Sequence, residues 1–156
     1  MHVTQPTTLT SPGAPAVDLF ADSSDLNGAA SIQRLRLPAR SLGASPHLHR
    51  RSSELFYVLD GAMWFLQDHE VLLAEAGSLV VIHPNTAHAF AAADEPAAAL
   101  IVLTPGVERF GYFRLLAAVA AGLAAPEELR EAQDRFDNHF VSSPVWDEHV
   151  LHRQLA

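Results

Sequence analysis

The middle of the chain, from about residue 31 to residue 104, is a series of short strand-like runs separated by turn residues. The runs are HLH, ELFYVL, AMWFLQ, EVLLA, SLVVIH, HAFAA and AALIVL, and they are divided by RRSS, DG, DH, EAG, PNT and ADEP. Closely spaced strands of this kind, bounded by Gly, Pro, Asn and Asp, are typical of a β-sandwich or a β-barrel. The sequence therefore predicts a mainly β core and leaves the choice between barrel and sandwich open.

The segments on either side differ in composition. Residues 1–16 are rich in Thr, Pro and Gly, which bury too little apolar surface to offset their ordering entropy. We expect a flexible or strapped-down N-terminal arm there, followed by the β domain over residues 17–104. Residues 105–156 are expected to form a helical appendage packed on that domain.

Two helices are predicted in the appendage. From Glu108 to about Ala121 the apolar residues fall on one helical face, and Gly122 is a plausible stop. The segment from Pro126 to Phe136 begins with proline and two glutamates, which suit the first turn of a helix. The chain after Phe136 shows no clear pattern.

Composition excludes several kinds of chemistry and partner. The chain has no cysteine and no lysine, so thiol nucleophiles, thiolate metal sites, disulfides and Schiff bases are ruled out. Its formal charge of -8 argues against nucleic acid and anionic membranes as partners and favours a small-molecule substrate. The N-terminus shows neither a signal peptide nor a membrane-spanning run, so we expect a cytoplasmic protein.

Two segments concentrate potential metal ligands. His47 and His49 alternate, so on a strand both imidazoles point to one face, and Glu54 opens the next apolar run. The second segment, GSLVVIHPNTAH, brings His88 directly after a strand and a proline-containing turn. Three potential ligands thus converge, with a further histidine as a distant partner.

These two segments resemble the paired motifs of the cupin superfamily. The matching positions are Gly43, His47, His49, Glu54 and Gly61 in the first motif, and Gly77 and His88 in the second. Three positions depart from the second motif: His83 replaces the usual proline, Asn85 the glycine and Ala92 the asparagine. Asn85 is a mild change, because asparagine tolerates left-handed backbone better than most residues.

Residues 31 to 144 are similar to small single-domain cupins grouped with quercetin 2,3-dioxygenase-like cupins. This resemblance implies a cupin-type double-stranded β-helix, a jelly-roll-like barrel with a metal inside, followed by the C-terminal pair of helices. It also implies that His47, His49, Glu54 and His88 are the metal ligands. Three imidazoles and one carboxylate suit one divalent transition metal, Fe, Mn, Ni, Co, Cu or Zn, without discriminating among them.

Two catalytic candidates accompany the metal ligands. Glu54 is expected to act as a general base, because a carboxylate beside a metal lies close to any acidic substrate proton. His83 is either a cavity-facing ligand or base, or a rim histidine bonded to backbone. Arg50 and Arg51 either steer an anionic substrate or are solvated turn residues.

Strand parity predicts the wall of a substrate pocket. Phe56 and Val58 share the face of Glu54, and Phe90 shares the face of His88. Either Met63 and Phe65 or Trp64 adds to this wall, and we take Phe65 as the pocket residue of that strand. Ordinary core packing is the alternative for each aromatic residue.

The opposite faces of these strands are also apolar and need cover. Either a homodimer or the C-terminal helices would remove the exposed patch. His139, Trp146, His149 and His152 in the tail are interpreted as structural or solvated.

The leading functional hypothesis is a metal-dependent cupin enzyme acting on a small aromatic, enolic or polyketide-like molecule. Dioxygenation is the first reaction, and it is suggested by the family resemblance. A metal-assisted isomerase or cyclase without O2 and a non-catalytic binding cupin are the alternatives. A DNA-binding regulator is disfavoured, because it needs a basic recognition helix.

Overall fold

The computed structural model describes residues 5–10 and 15–155. The strands are β1 (Thr7–Leu9), β2 (Ala16–Ala21), β3 (Ser31–Leu37), β4 (Leu42–Leu48), β5 (Ser53–Asp60), β6 (Ala62–Gln67), β7 (Glu70–Glu75), β8 (Leu79–Ile82), β9 (His88–Ala92), β10 (Ala97–Thr104) and β11 (His139–Phe140). The helices are α1 (Phe110–Ala120), α2 (Pro126–Glu131), α3 (Gln133–Phe136) and α4 (Pro144–Leu155). The mainly β prediction is confirmed, and the seven runs read from the sequence correspond to β4 through β10.

The strands form two antiparallel sheets that face each other. One sheet has the order β1-β2-β3-β10-β5-β8 and the other the order β11-β4-β9-β6-β7. No described strand pairs with both sheets, so the jelly roll consists of two layers, and hydrogen bonding does not close it into a continuous barrel.

Alternate side chains of the strands fill the space between the sheets. Phe56 and Val58 of β5 and Ile101 of β10 are buried there, whereas Tyr57 between them is exposed. The tight turn from β5 to β6 requires Gly61, whose φ is +67° and whose Cβ would lie 2.2 Å from the Pro96 carbonyl oxygen. The alternation of side chains along the strands therefore corresponds to alternation between core-facing and surface-facing positions.

The described part of the N-terminal arm is attached to the six-stranded sheet. Residues 1–4 and 11–14 of the expected flexible arm lie outside the described residues. Within the arm, Thr7–Leu9 pair with β2, and the Thr8 hydroxyl donates to Asp18 at 2.7 Å.

The C-terminal region contains more elements than the predicted pair of helices. α1 lies within the predicted span, and Gly122 follows it with a φ of +70°. The single helix predicted from Pro126 to Phe136 is divided at Ala132, whose backbone departs from helical geometry. The tail without a pattern forms β11 and α4, because both find partners on the five-stranded sheet. None of the described helices combines the length and apolar character needed to cross a membrane.

Helix α4 covers the outer face of the five-stranded sheet. Trp146 is buried there against Leu66, Ala89 and Ala91. Within the described residues, no such helix covers β5 and β8 on the outer face of the six-stranded sheet, where Tyr57, Leu59, Leu79 and Val81 are exposed. The homodimer expected from the sequence stays a prediction, and this face is where the interface would lie.

Asp18 connects the arm to the sheet through its buried carboxylate, which also accepts from Arg34 Nε at 2.8 Å and Arg36 Nη2 at 2.9 Å. Burial acts to raise the pKa of Asp18, but the bonds from Thr8 and Arg34 and the charges of both arginines outweigh it and lower the pKa. The contribution to stability is therefore present above the pKa of an unfolded aspartate and is lost as pH falls through the lower folded pKa.

The Asp18→Asn substitution is expected to lower the free energy of unfolding at pH 7 by about 1–2 kcal/mol, because charge-assisted bonds are replaced by weaker ones. The deficit should begin to shrink below about pH 4, where an unfolded aspartate becomes protonated, and should be smallest below the lower pKa of folded Asp18. Urea unfolding at pH 7 and pH 3 measures both quantities. Asp94→Asn, in the exposed Arg40 pair, is the control without measurable effect. An equal deficit at both pH values would contradict this account.

Candidate metal centre

Three histidines lie side by side on the five-stranded sheet. His47 is in β4, His49 directly follows β4, and His88 begins β9. His47 and His88 are direct partners across these antiparallel strands. Glu54 reaches the same place from β5 of the opposite sheet. The cluster therefore joins the two layers at one end of the jelly roll.

The four side chains are buried and close together. Their potential ligand atoms all lie within 4.8 Å of one another. The imidazole centroids of His47 and His88 are 4.2 Å apart, and that of His49 lies 5.1 Å from His47 and 5.2 Å from His88. The structure thus brings together all four ligands suggested by the sequence.

Backbone carbonyls orient all three imidazole rings. Nδ1 of His47 donates to Ser45 O at 2.8 Å, and Nδ1 of His88 donates to Thr86 O at 3.0 Å. Nδ1 of His49 donates to the carbonyl of Asp137. Because a carbonyl only accepts, these bonds place the proton on Nδ1 and leave each Nε2 as a lone pair when the ring is neutral. This is the tautomer that Nε2 coordination of a metal requires.

The electrostatics of the cluster suit a bound cation. Burial, with the neighbouring His88 and His49, holds the pKa of His47 well below its ordinary value. Burial acts to raise the pKa of Glu54, but His49 and His88 outweigh it and hold that pKa well below its usual range. Oε2 of Glu54 lies 2.8 Å from His88 Nε2 and 3.3 Å from His49 Nε2. Protonated His88 and His49 donate to the carboxylate at these distances. In their neutral form the rings face it with Nε2 lone pairs, and this three-nitrogen, one-oxygen set fits a divalent transition metal.

Asp137 fixes the loop that follows the His-x-His strand, and sequence reasoning missed it. Besides holding His49 through its carbonyl, its carboxylate accepts from the backbone N–H groups of Arg50 at 2.9 Å and Arg51 at 3.0 Å. Asp137 has a φ of +51° at the end of α3, a conformation that aspartate adopts more readily than most residues. The signal available in the sequence was the pair Asp137 and Asn138, which follows a helix-like run and is typical of a turn.

His83 lies outside this cluster. It is exposed in the turn after β8, so the structure does not bring this catalytic candidate to the four ligands. Asn85 in the same turn has a φ of +66°, and its N–H donates to His49 O at 2.7 Å. Asn85 thus adopts the left-handed backbone that asparagine tolerates better than most residues. The side chains of Arg50 and Arg51 are exposed, as in the solvated-turn interpretation.

The predicted pocket wall lies between the sheets as a packed aromatic cluster. Phe56 contacts Phe65 and Phe90 edge to face, with ring centroids 5.1 Å and 5.0 Å apart. Val58 is buried beside them in the same core. Of the alternatives in β6, Met63 and Phe65 face inward, and Trp64 packs outward against His149 of α4. Gly43 keeps room for this packing, because a Cβ there would lie 2.3 Å from the Phe90 ring.

The interior also holds polar groups that the sequence did not single out. Polar atoms of Ser31, Gln33 and Arg109 are buried without a hydrogen-bond partner among the described residues. Tyr112 is buried close to Arg109. Charged and amide side chains are mostly exposed, so sequence alone gives no reason to place Gln33 and Arg109 inside.

Comparisons with solved structures show the same fold. A RmlC-like cupin from Shewanella frigidimarina is 18% identical with a TM-score of 0.58, and the match covers 68% of this chain and 89% of that chain. KdgF from Halomonas is 17% identical with a TM-score of 0.55, covering 64% and 86%. A nucleoside dehydratase from Streptomyces is 17% identical with a TM-score of 0.54, covering 67% and 82%.

Two sequence comparisons were made with known proteins and families. No curated protein matches this sequence. Residues 33–103, which contain all four clustered ligands, match the family model of the cupin domain. The chain therefore has the cupin fold, and the match to the cupin domain extends over residues 33–103 of it.

Proposed function

We propose that this protein is a metal-dependent enzyme that acts on a small enolic or aromatic molecule, with dioxygenation as the first reaction to test. One observation carries the proposal: three imidazoles fixed as Nε2 donors converge with an ionised carboxylate in a buried site. In a non-catalytic binding module, other residues could replace the metal ligands. Here the complete set of four donors is present and oriented.

His47, His49, Glu54 and His88 would hold the metal. A divalent transition metal there supplies Lewis acidity toward substrate oxygens and, for a redox-active ion, chemistry with O2. Glu54 supports proton transfer, because an ionised carboxylate in a buried site can accept an acidic substrate proton. The Phe56, Phe65 and Phe90 rings give the site an apolar side that excludes water.

A reaction without O2 is the second candidate. Proton abstraction by Glu54 followed by isomerisation, cyclisation or loss of water requires no oxidant. The fold shared with a nucleoside dehydratase supports keeping this candidate. A cytoplasmic location and a homodimer remain part of the proposal.

The test begins with metal analysis of protein purified without a histidine tag, where about one transition metal ion per chain is expected from one four-ligand site. Oxygen consumption is then measured with panels of flavonols and catechols, with and without the bound metal. Metal-dependent oxygen uptake supports dioxygenation. Substrate turnover in an anaerobic chamber supports the second candidate. Protein that binds no transition metal when challenged would overturn the proposed function.

A further inference from the structure

Arg109 is a buried cation that the metal centre does not use. It lies between β10 and α1 and is only 4% exposed. Its guanidinium carbon lies 4.5 Å from the Tyr112 ring centroid and 5.0 Å from that of Phe113. Its Nε and Nη1 have no hydrogen-bond partner among the described residues. A buried guanidinium held on aromatic faces without an anion is unfavourable, so this position calls for an explanation.

Tyr112 is a second buried polar residue and lies beside Arg109. Burial raises the pKa of its hydroxyl, the charge of Arg109 acts to lower that pKa, and the charge of Glu54 acts to raise it. The hydroxyl therefore stays protonated as a donor. The chain that leads to Arg109 starts beside Glu54, because Thr104 pairs with Ser53 and the Ser52 hydroxyl donates to Pro105 O at 2.6 Å.

Two further unpaired groups lie on the same inner face. In the strand order β3-β10-β5, Ser31 pairs with Leu103, which pairs with Glu54. Gln33 lies two residues along β3 from Ser31, so both side chains share the face of Glu54. Ser31 is about 10 Å from Glu54 across two strand spacings, and Gln33 lies further along, in register with Ile101 and Phe56. Ser31 Oγ and both amide atoms of Gln33 have no partner among the described residues. The segment leading to Arg109 passes beside this end of β3, since Gly106 N–H donates to Gly28 O at 2.8 Å.

We propose that Arg109 and Tyr112, with Gln33 and Ser31, form a carboxylate-binding subsite beside the metal centre, so that the substrate is a carboxylate-bearing molecule. A guanidinium presents parallel N–H donors that match a carboxylate, and the Tyr112 hydroxyl adds another donor. The Gln33 amide offers a donor and an acceptor for other polar groups of the substrate. Because the formal charge of the chain is -8, attraction of an anion has to be local, and Arg109 supplies it. The catalytic consequence rests on the proposed function, whereas binding of the carboxylate does not require the metal.

The test uses benzoate as the probe and benzamide as its neutral counterpart, with affinities measured by isothermal titration calorimetry. Wild-type protein, metal-loaded and after chelator treatment, is expected to bind benzoate at least about tenfold more tightly than benzamide. Arg109→Met is expected to lose this preference, and Arg109→Lys to retain part of it, because lysine keeps the charge without the planar fork. Gln33→Leu should weaken binding less than Arg109→Met does.

Controls separate binding from folding. Arg114→Met removes an exposed arginine that also lies over an aromatic ring of α1, and it should leave benzoate affinity unchanged. Arg109→Met should keep or raise the melting temperature, because it removes a buried charge without a partner. No benzoate binding by the wild type, or equal benzoate affinity in wild type and Arg109→Met, would overturn the subsite. Arg109-dependent binding in a protein that takes up no metal would support the subsite and overturn only the proposed function.

Discussion

His88→Ala is expected to lower the affinity of the chain for a divalent transition metal by at least about 100-fold. Loss of groups that merely orient metal ligands costs 10- to 100-fold, and this substitution removes a ligand itself. His88 Nε2 lies 2.8 Å from Glu54 Oε2, and the ring faces His47 across the strand pair. Mass spectrometric metal analysis and calorimetric titration with Co(II) measure the effect, and circular dichroism confirms that the variant is folded.

His83→Ala is the matched control for this experiment. It removes a histidine from the same sequence segment, but His83 is exposed and lies outside the cluster. Its metal affinity should equal that of the wild type. Retention of about one metal ion per chain by His88→Ala, or loss of metal from His83→Ala as well, would contradict the four-ligand site. Glu54→Gln keeps the shape of the side chain and tests the charge, and it should also bind metal more weakly.

Part of the candidate ligand cluster was predictable, because His47, His49 and Glu54 follow a local pattern. Alternation of His47 and His49 fixes their common face, and a turn of defined length brings Glu54 onto the next strand. The direct pairing of His47 with His88 depends on strand order, which the family resemblance supplied and the period of two did not. The backbone bonds that orient the rings come from residues with no pattern of their own, such as Ser45 and Thr86.

Two placements depended on strand register and strand ends. Ile82, the last residue of β8, faces inward, so the next residue, His83, points outward and is exposed. The choice between Trp64 and Phe65 depended on register, and the pairing of Phe65 with Phe90 settles it. The tail after Phe136 was unreadable for a related reason. α4 is stabilised by burying Trp146 on a sheet distant in sequence, and such a contact leaves no periodic signal.

Arg109 and Gln33 show a different limit of sequence reading. Arginine and glutamine are exposed in most proteins, so their types argued for the surface. Gln33 is inside because β3 pairs with β10 in a register that places it opposite Ile101. Arg109 is inside because the chain turns at Gly106 against Ala30 before α1 begins. Both placements are consequences of topology. Both residues belong to the proposed subsite, and their types differ from those of an ordinary protein core.

Phe56→Ala is expected to lower the free energy of unfolding by about 3–5 kcal/mol, because it leaves a cavity in a packed core. Phe56 is fully buried and contacts Phe65 and Phe90 edge to face, so its loss also removes two aromatic pairs. Urea unfolding measures the change. Leu123→Ala is the control, since Leu123 is 83% exposed and should alter stability by no more than about 0.5 kcal/mol.

The size of this effect decides what Phe56 contributes to function. A side chain that lines an open substrate pocket has few packing partners on one side, so its truncation costs little stability and mainly changes ligand affinity. A deficit below about 1 kcal/mol would therefore contradict the packed cluster and favour the pocket wall. A large deficit with benzoate binding retained would assign Phe56 to the core and place recognition at Arg109 and Tyr112. The aromatic cluster would then act by holding β5, and with it Glu54, against the histidines of the opposite sheet.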